Sequence, residues 1–210
     1  MEDRIRKIGI MGGTFDPIHI GHLILGEIAY EQFGLDRVLF MPAGNPPHKQ
    51  NRSGRATDEQ RVEMVRRAIA GNPHFEISMA EMHADGFTYT YRTLEMLHQT
   101  NTDARFYFIL GADSLFDFEK WKEPQRICDA CTIVAATRNR INEKQLEDRM
   151  EELRLRYHGI FLKLDTPNLD RSSEFIRKRI KMNQTVRYYL PDSVLEYIAA
   201  QKIYGDNENG

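Results

Sequence analysis

The chain has 210 residues, of which 41% are hydrophobic and 29% charged, with a formal net charge of −2. That length suits one domain with a sizeable core, and the near-neutral balance excludes a wholly basic surface of the kind that nucleic acid or an anionic membrane attracts, while leaving room for a local basic cleft. The opening MEDRIRKIGIMGG has no apolar run of signal-peptide length and no later stretch is long enough to span a bilayer, so a cytoplasmic protein with no membrane partner is expected.

Apolar β-rich runs alternate with helical patterns along the chain. Residues 5–11 (IRKIGIM) predict a strand, 22–34 an amphipathic helix stopped by Gly34, and 37–43 (RVLFMPA) a second strand. Residues 57–71 open with a Thr/Asp cap, carry helical apolar spacing and stop at a glycine. A short strand at 75–78 precedes a helix at 89–100, helical despite several β-formers, and then a strong strand at 105–113 (RFYFILGAD). Helical PQRICDA (124–130) leads into the strand CTIVAAT (131–137), a charged helix at 141–159, a strand at 160–164 and a helix at 172–180. A last helix, 191–205, carries proline at its start and glycine at its end, and the closing DNENG is expected to be disordered.

Such alternation implies an α/β fold: a mostly parallel, doubly wound sheet with helices on both faces and a small C-terminal helical part. Ligands of these sheets sit beyond the carboxyl ends of the strands, at the switch point. Residues 1–205 form one domain in this reading, followed by a flexible tail, 206–210. The segment PAGNPPHKQNRSGR (42–55) is too long and too polar to be a mere connector. Cys128 and Cys131 form CDAC, but no second pair exists, and they lie where an apolar strand begins. They are expected to be small buried thiols and not a redox or zinc pair.

The chemistry concentrates in GGTFDPIHIGH, residues 12–22. The first strand runs into Gly12, Gly13, Thr14 and Phe15 and then into a helix beginning near Ile20. Glycines let a ligand approach the backbone, and the N–H groups of a helix start favour an anion. His19 and His22, at (i, i+3), can point two imidazoles at one spot and donate to phosphate oxygens. The string lacks the G-x-G-x-x-G of a dinucleotide turn, the Gly-Lys-Ser/Thr of a Walker loop and the H-E-x-x-H of a zinc protease. Taken on the glycines alone, a tight strand–helix turn with one capping and one packed histidine explains it as well.

The complete string resembles the T/H-x-G-H signature of the nucleotidyltransferase superfamily, and the wider pattern resembles bacterial nicotinate-nucleotide adenylyltransferases. MPAGNPPHK (41–49) is similar to that family's PPHK loop, TYTYRTL (88–94) to its S-Y-T-x-D-T-L segment, and GADSLFDFEKWKE (111–123) to its G-A-D…K-W stretch. TPNLDRSSEFIRKRI (166–180) resembles its T-P…I-S-S-T-x-I-R motif, and YYLPDSVLEYI closes the chain as in that family. The resemblance implies a Rossmann-like sheet and transfer of AMP from ATP to nicotinate mononucleotide, giving deamido-NAD and pyrophosphate. It implies Mg2+ carried by the nucleotide phosphates, with no metal ligands expected from protein side chains and no nucleic-acid partner, and it leaves a homodimer open.

On that resemblance, His19, His22 and Arg177 serve catalysis. Gly12, Gly13, Thr14, Phe15, Gly111, Asp113, Arg138, Ser172 and Ser173 join them around ATP, the two serines capping a helix whose N–H groups face the β and γ phosphates. A plain capped, basic surface helix is the alternative for residues 172–180. His48 and Lys49 are assigned to the acceptor's phosphate or carboxylate, against the alternative of a solvated loop lysine. Thr90 stands at a helix start able to offer N–H groups to the nicotinate carboxylate. Trp121, the only tryptophan, is assigned to stack on the nicotinate ring, against the alternative of a core residue. Asp113 is read as a ribose-hydroxyl acceptor or an N-cap. Three positions depart from the family pattern: Arg92 where Asp is common, Arg171 where an apolar residue precedes the serines, and Glu174 in place of Thr. Glu174 is expected to point outward, because a carboxylate facing the cleft would repel a triphosphate. A nucleotide sensor without turnover is the main rival class, and a nucleic-acid module the weakest.

Overall fold

The computed structural model describes residues 4–44, 54–82, 87–136, 143–167 and 172–205. Among them, β1 (Arg6–Gly13), β2 (Arg37–Pro42), β3 (Phe75–Ile77), β4 (Ala104–Gly111), β5 (Thr132–Ala136) and β6 (Phe161–Leu164) form one sheet in the order β3-β2-β1-β4-β5-β6. Every neighbouring pair is parallel. The chain winds outward from β1 to β3, returns to β4 beside β1, and winds outward again, which puts the switch point between β1 and β4.

The period-2 alternation of buried strand residues builds two cores. On one face Met11, Val38, Phe40, Tyr107, Ile109 and Val134 pack against α1 (Ile20–Phe33), α2 (Asp58–Ile69), α7 (Ser173–Lys181) and α8 (Asp192–Ala200). On the other, Ile8, Ile10, Leu39, Phe106, Phe108 and Ile133 pack against α3 (Thr90–Thr100), α4 (Ala112–Phe116), α5 (Pro124–Ala130) and α6 (Glu143–Tyr157). The C-terminal helices thus complete the layer begun by α1 and α2. Each fully buried aliphatic or aromatic side chain contributes about 1.5–3 kcal/mol over its exposed state. Cys128 and Cys131 are both buried and reduced, as expected, and burial pushes the Cys128 thiol up to about 12, which makes it a poor nucleophile.

Two boundaries differ from expectation. The strand predicted to reach residue 113 stops at Gly111, and Ala112 opens α4, which is followed by a 3-10 turn at Phe118–Lys120. ADSLF and FEK are too short to display a helical period, although Leu115 and Phe118 are fully buried. Asp113 therefore lies in the first turn of a helix capped by Gly111, and is neither a strand end nor an N-cap. The last helix ends at Ala200, five residues before Gly205, and Pro191 is its N-cap. Beyond it Lys202 and Tyr204 turn to positive φ, 51° and 67°, and Ile203 and Tyr204 return to the core. The expected tail at 206–210 lies outside the described residues.

Candidate active site

β1 ends at Gly13 in the crevice beside β4, and the loop 14–19 carries the chain into α1. Phe15 folds back under this loop with φ +49° and is buried. A Cβ on Gly13 would come within 3.1 Å of the Phe15 ring, so a larger residue there would crowd the loop's own packing. His19 is the N-cap of α1. Its backbone N–H donates to His22 Nδ1 at 3.2 Å, and the His22 N–H donates to the His19 carbonyl at 2.9 Å. The two rings stack with centroids 3.7 Å apart, and the edge of Phe15 closes on His22 at 5.1 Å. With Nδ1 accepting, the proton of a neutral His22 sits on Nε2, which becomes the donor nitrogen.

The loop is held from below by Asp16, which is 1% exposed. Its Oδ1 accepts from the Tyr204 hydroxyl at 2.6 Å and from the Ala56 N–H at 3.2 Å. Its Oδ2 accepts from Arg55 at 2.9 Å and lies 3.7 Å from Arg177, which also donates to the Asp16 carbonyl at 2.5 Å. Burial and the nearby carboxylate push the Tyr204 hydroxyl far above its ordinary range, so it stays a donor. Burial and the neighbouring Arg55 charge lower the pKa of Arg177.

These contacts bring α7 against a loop more than 150 residues away in sequence. The Ser173 hydroxyl donates to the Pro17 carbonyl at 2.9 Å, and Ser172 caps α7 by accepting from the Phe175 N–H at 3.2 Å. The start of α7 and Arg177 therefore border the same loop as His19 and His22. Glu174 is exposed in the first turn, where its charge suits the helix dipole. His48, Lys49, Arg138 and Arg171 lie outside the described residues.

On the other face of the sheet, Tyr89 holds the N-cap position of α3 and Thr90 is its first residue. Trp121 is half-buried, its ring 6.0 Å from Phe108 and 5.6 Å from Phe118. Phe108 also faces Gly12, where an added Cβ would meet its ring at 3.4 Å, so Trp121 and the β1 loop share one end of the sheet. Gly111 lies at that end too, and Asp113 is exposed just beyond it. Arg92 points over the Tyr89 ring and donates to the Tyr91 hydroxyl at 2.9 Å.

Four further positions matter that sequence reasoning did not single out: Asp16 within the motif itself, Arg55, Arg61 and Glu81. The Arg61 guanidinium is buried and donates to the carbonyls of Thr14 and Ala43, both at 2.7 Å, tying the ends of β1 and β2 together. Its signal was legible, because Arg61 shares a helical face with the apolar Met64 and Val65. The Glu81 carboxylate accepts from Thr93 Oγ1 at 3.0 Å and from the Gly44 N–H, joining α3 to the start of the 42–55 segment. Burial raises its pKa. Among the described residues no group of three or more His, Cys, Asp or Glu side chains could hold a metal ion, and no helix is long and apolar enough to cross a membrane.

Known proteins are similar to this chain in sequence and fold. A family model described as cytidylyltransferase-like matches residues 10–179. A protein of Lachnoclostridium phytofermentans named "Probable nicotinate-nucleotide adenylyltransferase" is 42% identical over 200 residues, covering 95% of this chain and all of its own length. A protein of the same name from Thermoanaerobacter is 39% identical over 99% of both chains. The fold matches that of the Plasmodium falciparum nicotinic acid mononucleotide adenylyltransferase solved in complex with NaAD, with a TM-score of 0.78, 18% identity and 95% of this chain and 97% of that chain covered.

Proposed function

The chain belongs to the nicotinate-nucleotide adenylyltransferases of the cytidylyltransferase-like family, and from that premise we propose how its residues move AMP from ATP to nicotinate mononucleotide, releasing pyrophosphate and leaving deamido-NAD. The reaction is an in-line displacement at the α-phosphorus. The attacking phosphate oxygen of the acceptor is ionised at neutral pH, so no general base is needed and no covalent intermediate forms. The P–O bond to the β-phosphate breaks as the new P–O bond forms, and its electron pair leaves with pyrophosphate. What remains for the protein is to bring two polyanions into line and to stabilise the charge on the transferring group.

The observation that carries this reading is the stacked His19–His22 pair with Ser173 and Arg177 gathered on the same loop. His22 Nε2–H and the His19 ring are donors to the α-phosphoryl oxygens as charge builds. Gly12, Gly13, Thr14 and Phe15 line the nucleotide's approach, and the N-terminus of α7, with Ser172, Ser173 and Arg177, takes the β and γ phosphates. Gly111 and Asp113 serve the ribose, and Arg138 the adenine or phosphates. Thr90 at the start of α3, Trp121, His48 and Lys49 receive nicotinate mononucleotide. Mg2+ enters as part of the substrate MgATP, carried by the nucleotide phosphates.

The test is pyrophosphate release with MgATP and either nicotinate or nicotinamide mononucleotide. Release with a selectivity ratio favouring the acid is expected. Tight ATP binding without release would replace the transferase by a sensor, and preference for the amide would reassign the acceptor.

A further inference from the structure

Arg55 and Arg177 meet on one carboxylate oxygen. Asp16 Oδ2 lies 2.9 Å from Arg55 and 3.7 Å from Arg177, and the other oxygen is taken by the neutral Tyr204 hydroxyl and the Ala56 amide. Two guanidinium cations thus share a single buried anion. The mutual effect is visible on Arg177, whose pKa is lowered first by burial and next by the charge of Arg55. The nearby Arg61 adds nothing to the imbalance, since Asp58 pairs with it at 2.6 Å. Glu174, the other carboxylate acting on Arg177, is exposed on the first turn of α7. One positive charge is left over in a half-buried place, where solvent screens it weakly.

The preceding residue extends this basic edge. Gly54 has φ +76°, and a Cβ there would come 3.1 Å from Lys181 Nζ. Lys181 lies one helical turn beyond Arg177, so residues 54–55 run along the Arg177–Lys181 edge of α7. The Arg55 side chain is 29% exposed, enough to present its remaining N–H groups to a ligand while one nitrogen holds Asp16.

We propose that Arg55 is a further phosphate-binding residue, which with Arg177 forms a two-guanidinium clamp on the β and γ phosphates of ATP and on the pyrophosphate that leaves. The clamp rests on the adenylyltransferase reading above, and it assigns to the donor a residue that ends the segment 42–55, otherwise linked to the acceptor. Asp16 acts as its positioning residue. It orients both forks toward the β1 loop, and the polyanion supplies the charge that one carboxylate cannot. A phosphate of the acceptor has the same chemistry, but Arg177 and Ser173 belong to α7 and place this pair on the triphosphate side.

The decisive measurement is the Kd of inorganic pyrophosphate for the whole enzyme by titration calorimetry, for wild type, Arg55→Gln and Arg55→Lys. Loss of a charge-assisted pair weakens binding roughly tenfold, so Arg55→Gln should raise this Kd about tenfold, with Arg55→Lys between it and wild type. The KM for nicotinate mononucleotide should stay within about twofold, since the acceptor lies elsewhere. An unchanged pyrophosphate Kd in a folded Arg55→Gln enzyme overturns the clamp. A raised acceptor KM with unchanged pyrophosphate affinity also overturns it and moves Arg55 to the acceptor. Since pyrophosphate binding requires no turnover, a wild type that binds pyrophosphate but makes no deamido-NAD would defeat the adenylyltransferase reading alone.

Discussion

In the proposed assignment the site has a donor side and an acceptor side, and the two are built on opposite principles. The donor side, around residues 12–22, is organised by buried polar groups: Asp16 and His19 are 1% and 3% exposed, and the partners of Asp16 arrive from residues 55, 56, 177 and 204. The acceptor side is organised by aromatic contacts, the half-buried Trp121 on the buried Phe108 and Phe118 and Tyr89 beside Tyr91, while one buried carboxylate, Glu81, joins α3 to Gly44. Transfer of a phosphoryl group needs donors that do not reorganise as charge develops, and a low-dielectric polar network supplies that. Recognition of a flat heteroaromatic ring needs area and a π-face, which a half-exposed Trp supplies. Substitutions of the donors aimed at the transferring phosphoryl group should therefore act on kcat, and those on the acceptor side on one KM.

The largest effect is expected at His22. Removing a donor aimed at the transferring phosphoryl group costs about 10²–10³ in rate, so His22→Ala should lower kcat by that order while the Kd for ATP changes far less. Steady-state kinetics beside equilibrium ATP binding tests this, and an unchanged turnover number refutes the transition-state role. Next comes Trp121. Stacking on a heteroaromatic ring contributes about 1–3 kcal/mol, so Trp121→Ala should raise the KM for nicotinate mononucleotide by about tenfold and leave that for ATP alone. A change confined to the ATP constant would remove Trp121 from the acceptor site.

The contrast between the two sides also explains what could be read from the sequence. Most of the order of strands and helices was legible from apolar runs, caps and glycine stops, and the His19–His22 pair was legible because its geometry is local. Ser172, Ser173 and Arg177 were reached through a motif resemblance, and the contacts of Ser173 and Arg177 with Pro17 and Asp16 now give a physical reason for it. The Asp16 hub was not legible, since its partners lie 39 to 188 residues away and nothing in one sequence pairs an aspartate in a loop with a tyrosine near the end. The helix α4 was hidden for the reverse reason: five residues make too short a period to see.

Glu81 gives a smaller and pH-dependent break on the acceptor side. Burial raises its pKa in the folded protein above the unfolded value. Between those two values the folded state holds a proton that the unfolded state has released, so stability declines as pH rises through that window. Glu81→Gln cannot ionise and escapes this decline. Thermal melts of both proteins from pH 4 upward should show the wild-type Tm falling relative to that of the variant as pH increases. Parallel curves would mean that Glu81 titrates alike in both states.

The smallest effect is expected back on the donor side, at Glu174. It occupies the first turn of α7, next to the capping Ser172 and one turn from Arg177, yet its side chain is exposed. Two opposed influences act there. Its charge stabilises the helix start, by about 0.3–1 kcal/mol at an exposed site, and it also sits within electrostatic reach of Arg177. Glu174→Thr gives up the first and relieves any repulsion of the incoming triphosphate. The expected outcome is a Tm lowered by a few degrees at most, with the KM for ATP equal to or below that of wild type, more visibly at low ionic strength, where exposed charges are felt further. A large loss of turnover would instead place the Glu174 carboxylate in the cleft, and would make it a working part of the polar network that distinguishes the donor side.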